Sequence, residues 1–205
     1  MPKRQGRIPF RYGSAYAFLA ILVTATPIHT AWAGQADVSG VGINNFGRIN
    51  ENYYRGAQPD LHGFMELKKL GVRSVIDLQE DGKPWEPEQV RLAGMQYFNI
   101  PLSSTKAATA AQLEYFLKLV NDPGNWPVYV HCAGGRHRTG EMTAVYRISH
   151  DSWTADEAYK EMKQYDYYSF GGHGPLKDSV YQYYGTFLAK AAASKPGTPA
   201  PTISK

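Results

Sequence analysis

The ten residues His131-Cys-Ala-Gly-Gly-Arg-His-Arg-Thr-Gly140 are the part of the chain best equipped for chemistry. Cys132 is the only cysteine among 205 residues, and five residues separate it from Arg138. A thiolate is a strong nucleophile, but a free thiol with pKa ~8.5 is mostly protonated at neutral pH. The mouth of a helix lowers that pKa, because its unpaired N–H groups and dipole favour an anion. Gly134 and Gly135 permit a tight turn whose N–H groups converge on an anion. Arg138 offers a planar fork for two phosphate oxygens at once. Thr139 can donate its hydroxyl to the sulfur. The spacing predicts a phosphate-binding loop made of Ala133, Gly134, Gly135, Arg136, His137 and Arg138, with Cys132 as nucleophile. The bland alternative is a buried thiol packed as a small hydrophobe. A glycine-rich loop opening a helix is built for an anion and argues against that alternative.

Such a loop belongs where a strand hands over to a helix. Val128 to His131 reads as the strand, and residues 140–149 read as the helix, with Met142, Val145 and Ile148 facing inward. Residues 34–45 form a Gly/Asn-rich lead-in. Residues 52–59 read as a short strand running into a turn, in which Arg55 and Gln58 are turn residues or, alternatively, reach the pocket. Residues 72–78 are a β-branched buried strand, and residues 95–102 a second core strand. Helical spacing covers residues 61–70, 88–93, 109–120, 154–165 and 177–193. Strands alternating with helices predict an α/β fold, with a central, mostly parallel sheet flanked by helices. In such sheets ligands bind at the carboxyl ends of the strands, which is where this loop falls.

His-Cys-x-x-Gly-x-x-Arg-Thr-Gly, as it stands in His131 to Gly140, resembles the signature of the cysteine-dependent protein-tyrosine phosphatases, dual-specificity branch. Asn45-Phe46, Tyr54-Arg55 with Gln58-Pro59, and Ser74-Val-Ile-Asp-Leu78 are similar to the same family's N-terminal half. The resemblance therefore spans most of residues 45–190. It implies a phosphomonoesterase acting through a phosphocysteine on Cys132, without metal or other cofactor. Arg138 and the loop amides would stabilise the equatorial oxygens. The implied substrate is phosphotyrosine, with phosphoserine and phosphothreonine as further candidates. His131, otherwise a strand-end histidine, becomes with Thr139 a supporting residue that tunes Cys132.

The chain departs from the family in one place. Relatives commonly carry an Asp as general acid after the strand equivalent to residues 95–102, but Ile100 to Thr109 contains neither Asp nor Glu. His137 is the candidate proton donor, and Asp81, Glu86, Asp166 or a water are its rivals. A phenolate of pKa ~10 departs with less help than an alkoxide, so aryl phosphates should be preferred. Three other functions compete. Arg136 and His137 suit an inositol phosphate or phosphoinositide phosphatase, and the missing acid suits a phosphate-binding pseudophosphatase. A rhodanese-like sulfurtransferase also uses a cysteine loop, but Cys-x5-Arg-Thr fits phosphate better.

The overall charge of +4 describes the N-terminus only. Lys3, Arg4, Arg7 and Arg11 carry the whole surplus, leaving 18 basic against 18 acidic side chains. No basic field for nucleic acid is visible. The same cations precede an apolar run from Ala15 to Val23, then Pro27 and Ala31-Trp-Ala33. Residues 1–33 thus read as a signal peptide cleaved after Ala33, with a periplasmic or secreted product. The run is shorter than the ~20 residues that span a bilayer, so no stable membrane insertion is expected after cleavage. Residues 34–193 are then the phosphatase domain, expected to be a monomer acting on a phosphorylated protein or small phosphate ester. The Pro-rich residues 194–205 are expected to be a disordered tail.

Overall fold

A computed structural model describes residues 40–194. The expected signal peptide and most of the expected tail lie outside the described residues. Among those described, five strands form one sheet in the order β1-β2-β5-β3-β4. The strands are β1 (Gly47–Asn50), β2 (Tyr53–Ala57), β3 (Ser74–Gln79), β4 (Gln96–Leu102) and β5 (Val128–Cys132). β5 lies between β2 and β3 and runs parallel to both, while β4 runs parallel to β3. β1 alone is antiparallel. Its four residues, Gly-Arg-Ile-Asn, offer only Ile49 as an apolar residue and do not read as a strand from sequence; pairing with β2 extends them and buries Ile49.

Two layers of helix cover the sheet. On one face, α1 (Leu61–Lys69) and α2 (Glu86–Leu92) bury Phe64, Leu67 and Val90 against Tyr54, Val75 and Tyr129. On the other, α3 (Ala110–Val120) and α4 (Arg138–His150) bury Phe116, Leu119, Met142 and Tyr146 against Ile76, Val128 and Val130. α5 (Ala155–Gln164) and α6 (Gly174–Ala193) pack outside α4, around Ala144, Ile148, Met162, Leu176 and Val180. Thr109 and Thr154 cap α3 and α5 in reciprocal capping boxes with Gln112 and Glu157.

The sequence assigns α4 one inward face and a start at Gly140. The structure corrects both. α4 begins at Arg138, and every residue from Arg138 to Ile148 is buried. A helix enclosed on one side by the sheet and on the other by α5 and α6 has no solvent face. Its first turn is thereby fixed from all sides. No helix among the described residues is long and apolar enough to cross a membrane.

Candidate active site

The central strand β5 delivers Cys132, residues 133–137 turn, and α4 starts at Arg138. Three successive loop carbonyls are held from outside. Ala133 O accepts from Gln58 N at 3.3 Å, Gly134 O from Asn45 Nδ2 at 2.8 Å, and Gly135 O from Arg55 Nη2 at 2.7 Å. With the carbonyls turned outward, the N–H groups are left for the inner side, and those of Gly135 and Thr139 reach the sulfur. Gly135 has φ +67°, and a Cβ there would lie 2.5 Å from the Gly56 carbonyl carbon. Only glycine fits both the backbone conformation and the close approach to β2.

Arg55 is thus no turn residue. It is wholly buried on β2, its guanidinium stacks 3.9 Å above the Tyr165 ring, and one nitrogen clamps the loop. Gln58 contributes its backbone to the loop, and its side chain accepts from Gln79 Nε2 at 2.7 Å. Asn45 reaches Gly134 from a left-handed backbone, φ +52°. The clamping roles of Arg55 and Asn45 were not legible in the sequence. The signal available was an arginine set between strand residues, Tyr54-Arg55-Gly56, where a cation needs a buried partner.

Cys132 is buried, which by itself opposes ionisation. Burial is outweighed by the Thr139 hydroxyl and N–H, then by the Arg138 charge and the Gly135 N–H, so the thiol pKa falls below its usual value. The Thr139 hydroxyl is buried with no other hydrogen-bond partner among the described residues, which leaves it to the sulfur. His131 lies behind the thiol, and its Nε2 pairs with Glu86 Oε1 at 2.8 Å in a fully buried contact. Burial disfavours the imidazolium, but Glu86, Asp77 and the Cys132 thiolate together raise the His131 pKa. Asp77, Glu86 and His131 also have the spacing to hold a cation, one ligand atom from each lying within 4.8 Å of the others. The three groups also contact one another and their neighbours. Asp77 accepts from Gln79 N and the Tyr97 hydroxyl, and Glu86 pairs with His131.

Arg138 is nearly buried, and its Nη1 donates to Leu102 O at 3.3 Å and to Asp81 Oδ1 at 3.1 Å. Arg136 is more open and lies 3.8 Å from Asp166. His137 turns to the side. Its ring stacks on His173 at 3.6 Å and meets Tyr168 edge-on at 4.4 Å. Burial, then the charges of His173 and Arg136, push its pKa down to about 4. At neutral pH the imidazole therefore carries no proton to give to a leaving group. The sequence brings Cys132, the loop, Arg138, Thr139 and His131 together as expected, but it does not foresee this aromatic packing of His137.

Glu141, one turn into α4, ties the surrounding loops to the site. Its Oε1 accepts from Ala108 N at 3.0 Å and from the Ser179 hydroxyl at 2.6 Å. The residue is fully buried, and burial raises its pKa to about 7 despite those two donors. An acid whose pKa is raised by folding stabilises the fold most below its unfolded pKa. That contribution is lost as pH rises from about 4.5 to about 7. The shift corresponds to on the order of 3 kcal/mol. Glu141→Gln keeps the acceptor and removes the charge, so its unfolding free energy should fall much less across that pH range than the wild type's. Unfolding free energies from urea titrations at pH 5 and pH 8 check this, and an equal fall in both proteins would refute it.

A thiolate held under inward amides and beside a guanidinium is the centre of a cysteine-dependent phosphatase. Residues 39–177 match the family described as DSP-PTPase phosphatase fused to NAD+ kinase, and the chain belongs to these DSP-type cysteine phosphatases. It is 29% identical over 157 residues to the dual specificity protein phosphatase TpbA of Pseudomonas aeruginosa, covering 76% of this chain and 67% of that protein. A putative tyrosine-protein phosphatase, OCA1 of Mycosarcoma maydis, is 39% identical over 112 residues, covering 50% of this chain and 68% of that one. The crystal structure of TpbA with pTyr superposes with a TM-score of 0.60 at 25% identity, over 80% of this chain and 98% of that one. The catalytic core of the PP-IP phosphatase SIW14 from Saccharomyces cerevisiae has the same fold, with a TM-score of 0.62 at 21% identity, over 74% and 92% of the two chains.

Proposed function

We propose that the chain hydrolyses phosphotyrosine, and more slowly phosphoserine and phosphothreonine, through a phosphocysteine on Cys132. The observation that carries this reading is the loop, in which three outward-tied carbonyls leave the amides, Arg138 and a low-pKa thiol for one phosphoryl group. Cys132 attacks phosphorus, the ester oxygen leaves with a proton, and water then cleaves the phosphocysteine. Arg138 and the amides stabilise charge on the three equatorial oxygens throughout.

One feature of the flank favours an aromatic ester. Tyr168, edge-on to His137, stacks on the exposed Phe170 at 4.1 Å, giving an apolar wall beside the loop. The inositol diphosphate reading draws on Arg136 and on relatives such as the inositol diphosphatase DSP1 of Oryza sativa, 29% identical over 108 residues, 50% of this chain and 49% of that one. The exposed carboxylates Asp81 and Asp166 stand beside the two loop arginines, at 3.1 and 3.8 Å, and oppose the additional negative charge of a polyphosphate. Rates on phosphotyrosine peptides, phosphoserine peptides and inositol pyrophosphates decide between the readings. The highest kcat/KM is expected on phosphotyrosine, and a higher value on inositol pyrophosphate would replace this reading. The charge-split leader supports export to the periplasm or medium. N-terminal sequencing should place the mature start near Gly34, and an intact Met1 on cytoplasmic protein would reject export.

A further inference from the structure

The chemistry above lacks a proton donor. A phenolate leaving from phosphorus has a conjugate-acid pKa of ~10 and gains from a proton in the transition state. Ser103 to Ala108, where relatives carry an acid, has no carboxyl group. His137 is neutral and packed into aromatic rings. Glu86 is buried against His131, and Glu141 is buried facing Ala108 and Ser179. Asp166 faces Arg136, at 3.8 Å, rather than Arg138.

We infer that Asp81 is the general acid, supplied from the loop between β3 and α2 rather than from the loop after β4. Its carboxylate lies 3.1 Å from Arg138 Nη1, and it shares that nitrogen with Leu102 O, the last carbonyl of β4. The sheet explains the substitution. β3 and β4 are parallel neighbours with Gln79 paired to Leu102, so the two loops leave the sheet side by side. A carboxylate two residues past Gln79 therefore reaches the corner that the other loop would otherwise supply. Nη1 is the only Arg138 nitrogen engaged by protein groups among the described residues, so Asp81 can stay in place while the rest of the fork takes phosphate. Asp81 is also 74% exposed at its side chain, free to turn toward a leaving oxygen.

In the unliganded site Arg138 holds the Asp81 pKa below the usual carboxylate value. A bound phosphoryl dianion reverses that balance, because two adjacent acids share one proton more readily than none. In the first step the Sγ–P bond forms and the P–O ester bond breaks, with the carboxyl proton passing to the leaving oxygen. In the second, a water oxygen bonds to phosphorus and the S–P bond breaks. The Asp81 carboxylate takes the water's proton and is restored to its starting form.

This assignment rests on the phosphatase reading, and one experiment separates the two. Wild type and Asp81→Asn are compared on nitrophenyl phosphate, phenyl phosphate and a phosphotyrosine peptide, with inorganic phosphate affinity measured on both. Asp81→Asn should lose about 10²-fold in kcat on the phenyl and phosphotyrosine esters and far less on the activated nitrophenyl ester. Its phosphate Kd should stay equal or fall, since a negative charge beside the anion has been removed. An equal loss on all three esters with weaker phosphate binding would make Asp81 a mere orienter of Arg138 and overturn the assignment. So would no loss at all. Absence of turnover by the wild type on every ester would instead defeat the phosphatase reading and this assignment with it.

Discussion

Cys132→Ser is expected to lower turnover of aryl phosphates by about 10⁴-fold or more, because the reaction loses its nucleophile. A serine hydroxyl is not ionised by the forces that ionise this thiol. The Thr139 hydroxyl, the Gly135 and Thr139 amides and Arg138 outweigh burial for a thiol and lower its pKa, but an alcohol is far too weak an acid for the same groups to ionise it. Phosphate binding should survive, since the amides and the arginine fork remain and a neutral hydroxyl repels the dianion less than a thiolate does. Two measurements check this: single-turnover rates with nitrophenyl phosphate, and calorimetric titration with inorganic phosphate. The wild-type thiol should also be alkylated by iodoacetamide with a midpoint below that of a free thiol, and phosphate should slow the alkylation. Peroxide should inactivate it reversibly at first, through the sulfenic acid. Turnover retained in Cys132→Ser would exclude a cysteine mechanism altogether.

The nucleophile was legible because its chemistry is written in consecutive residues. Cys132, the two glycines, Arg138 and Thr139 form one loop, and the strand before them is β-branched enough to be recognised. The clamps were not legible, because they come from far along the chain. Arg55 bonds a carbonyl eighty residues away and Asn45 one eighty-nine residues away, contacts that only the pairing of β2 with β5 creates. His137 shows the same limit. Its position before Arg138 suggests a proton donor, but the segment carrying Tyr167, Tyr168 and His173 folds against it and removes that proton. The sequence pattern places the start of α4 two residues late for a related reason. Arg138 and Thr139 look like loop residues in sequence, yet helical geometry is what aims the Thr139 N–H at the sulfur.

Arg138→Lys should cost about 10³-fold in kcat despite conserving the charge, in the range lost when a positioned transition-state donor is removed. A guanidinium contacts two oxygens in one plane, whereas an ammonium is a point charge on a flexible stem. The geometry makes the loss sharper here. Nη1 is fixed by Leu102 O, which aims the remaining nitrogens, and a lysine that keeps this carbonyl has nothing left in the plane of the fork. The carbonyl is buried, so a lysine that abandons it leaves an acceptor unpaired. Ground-state binding should suffer less than the chemical step, because the charge on the equatorial oxygens is matched most closely in the transition state. The expected pattern is therefore a large fall in kcat with a modest rise in KM, and a small upward shift of the Cys132 alkylation midpoint. Steady-state kinetics on nitrophenyl phosphate with a pH series of iodoacetamide rates would measure both. A kcat within a few-fold of wild type would show that charge alone suffices, and that the planar fork has no special role in this loop.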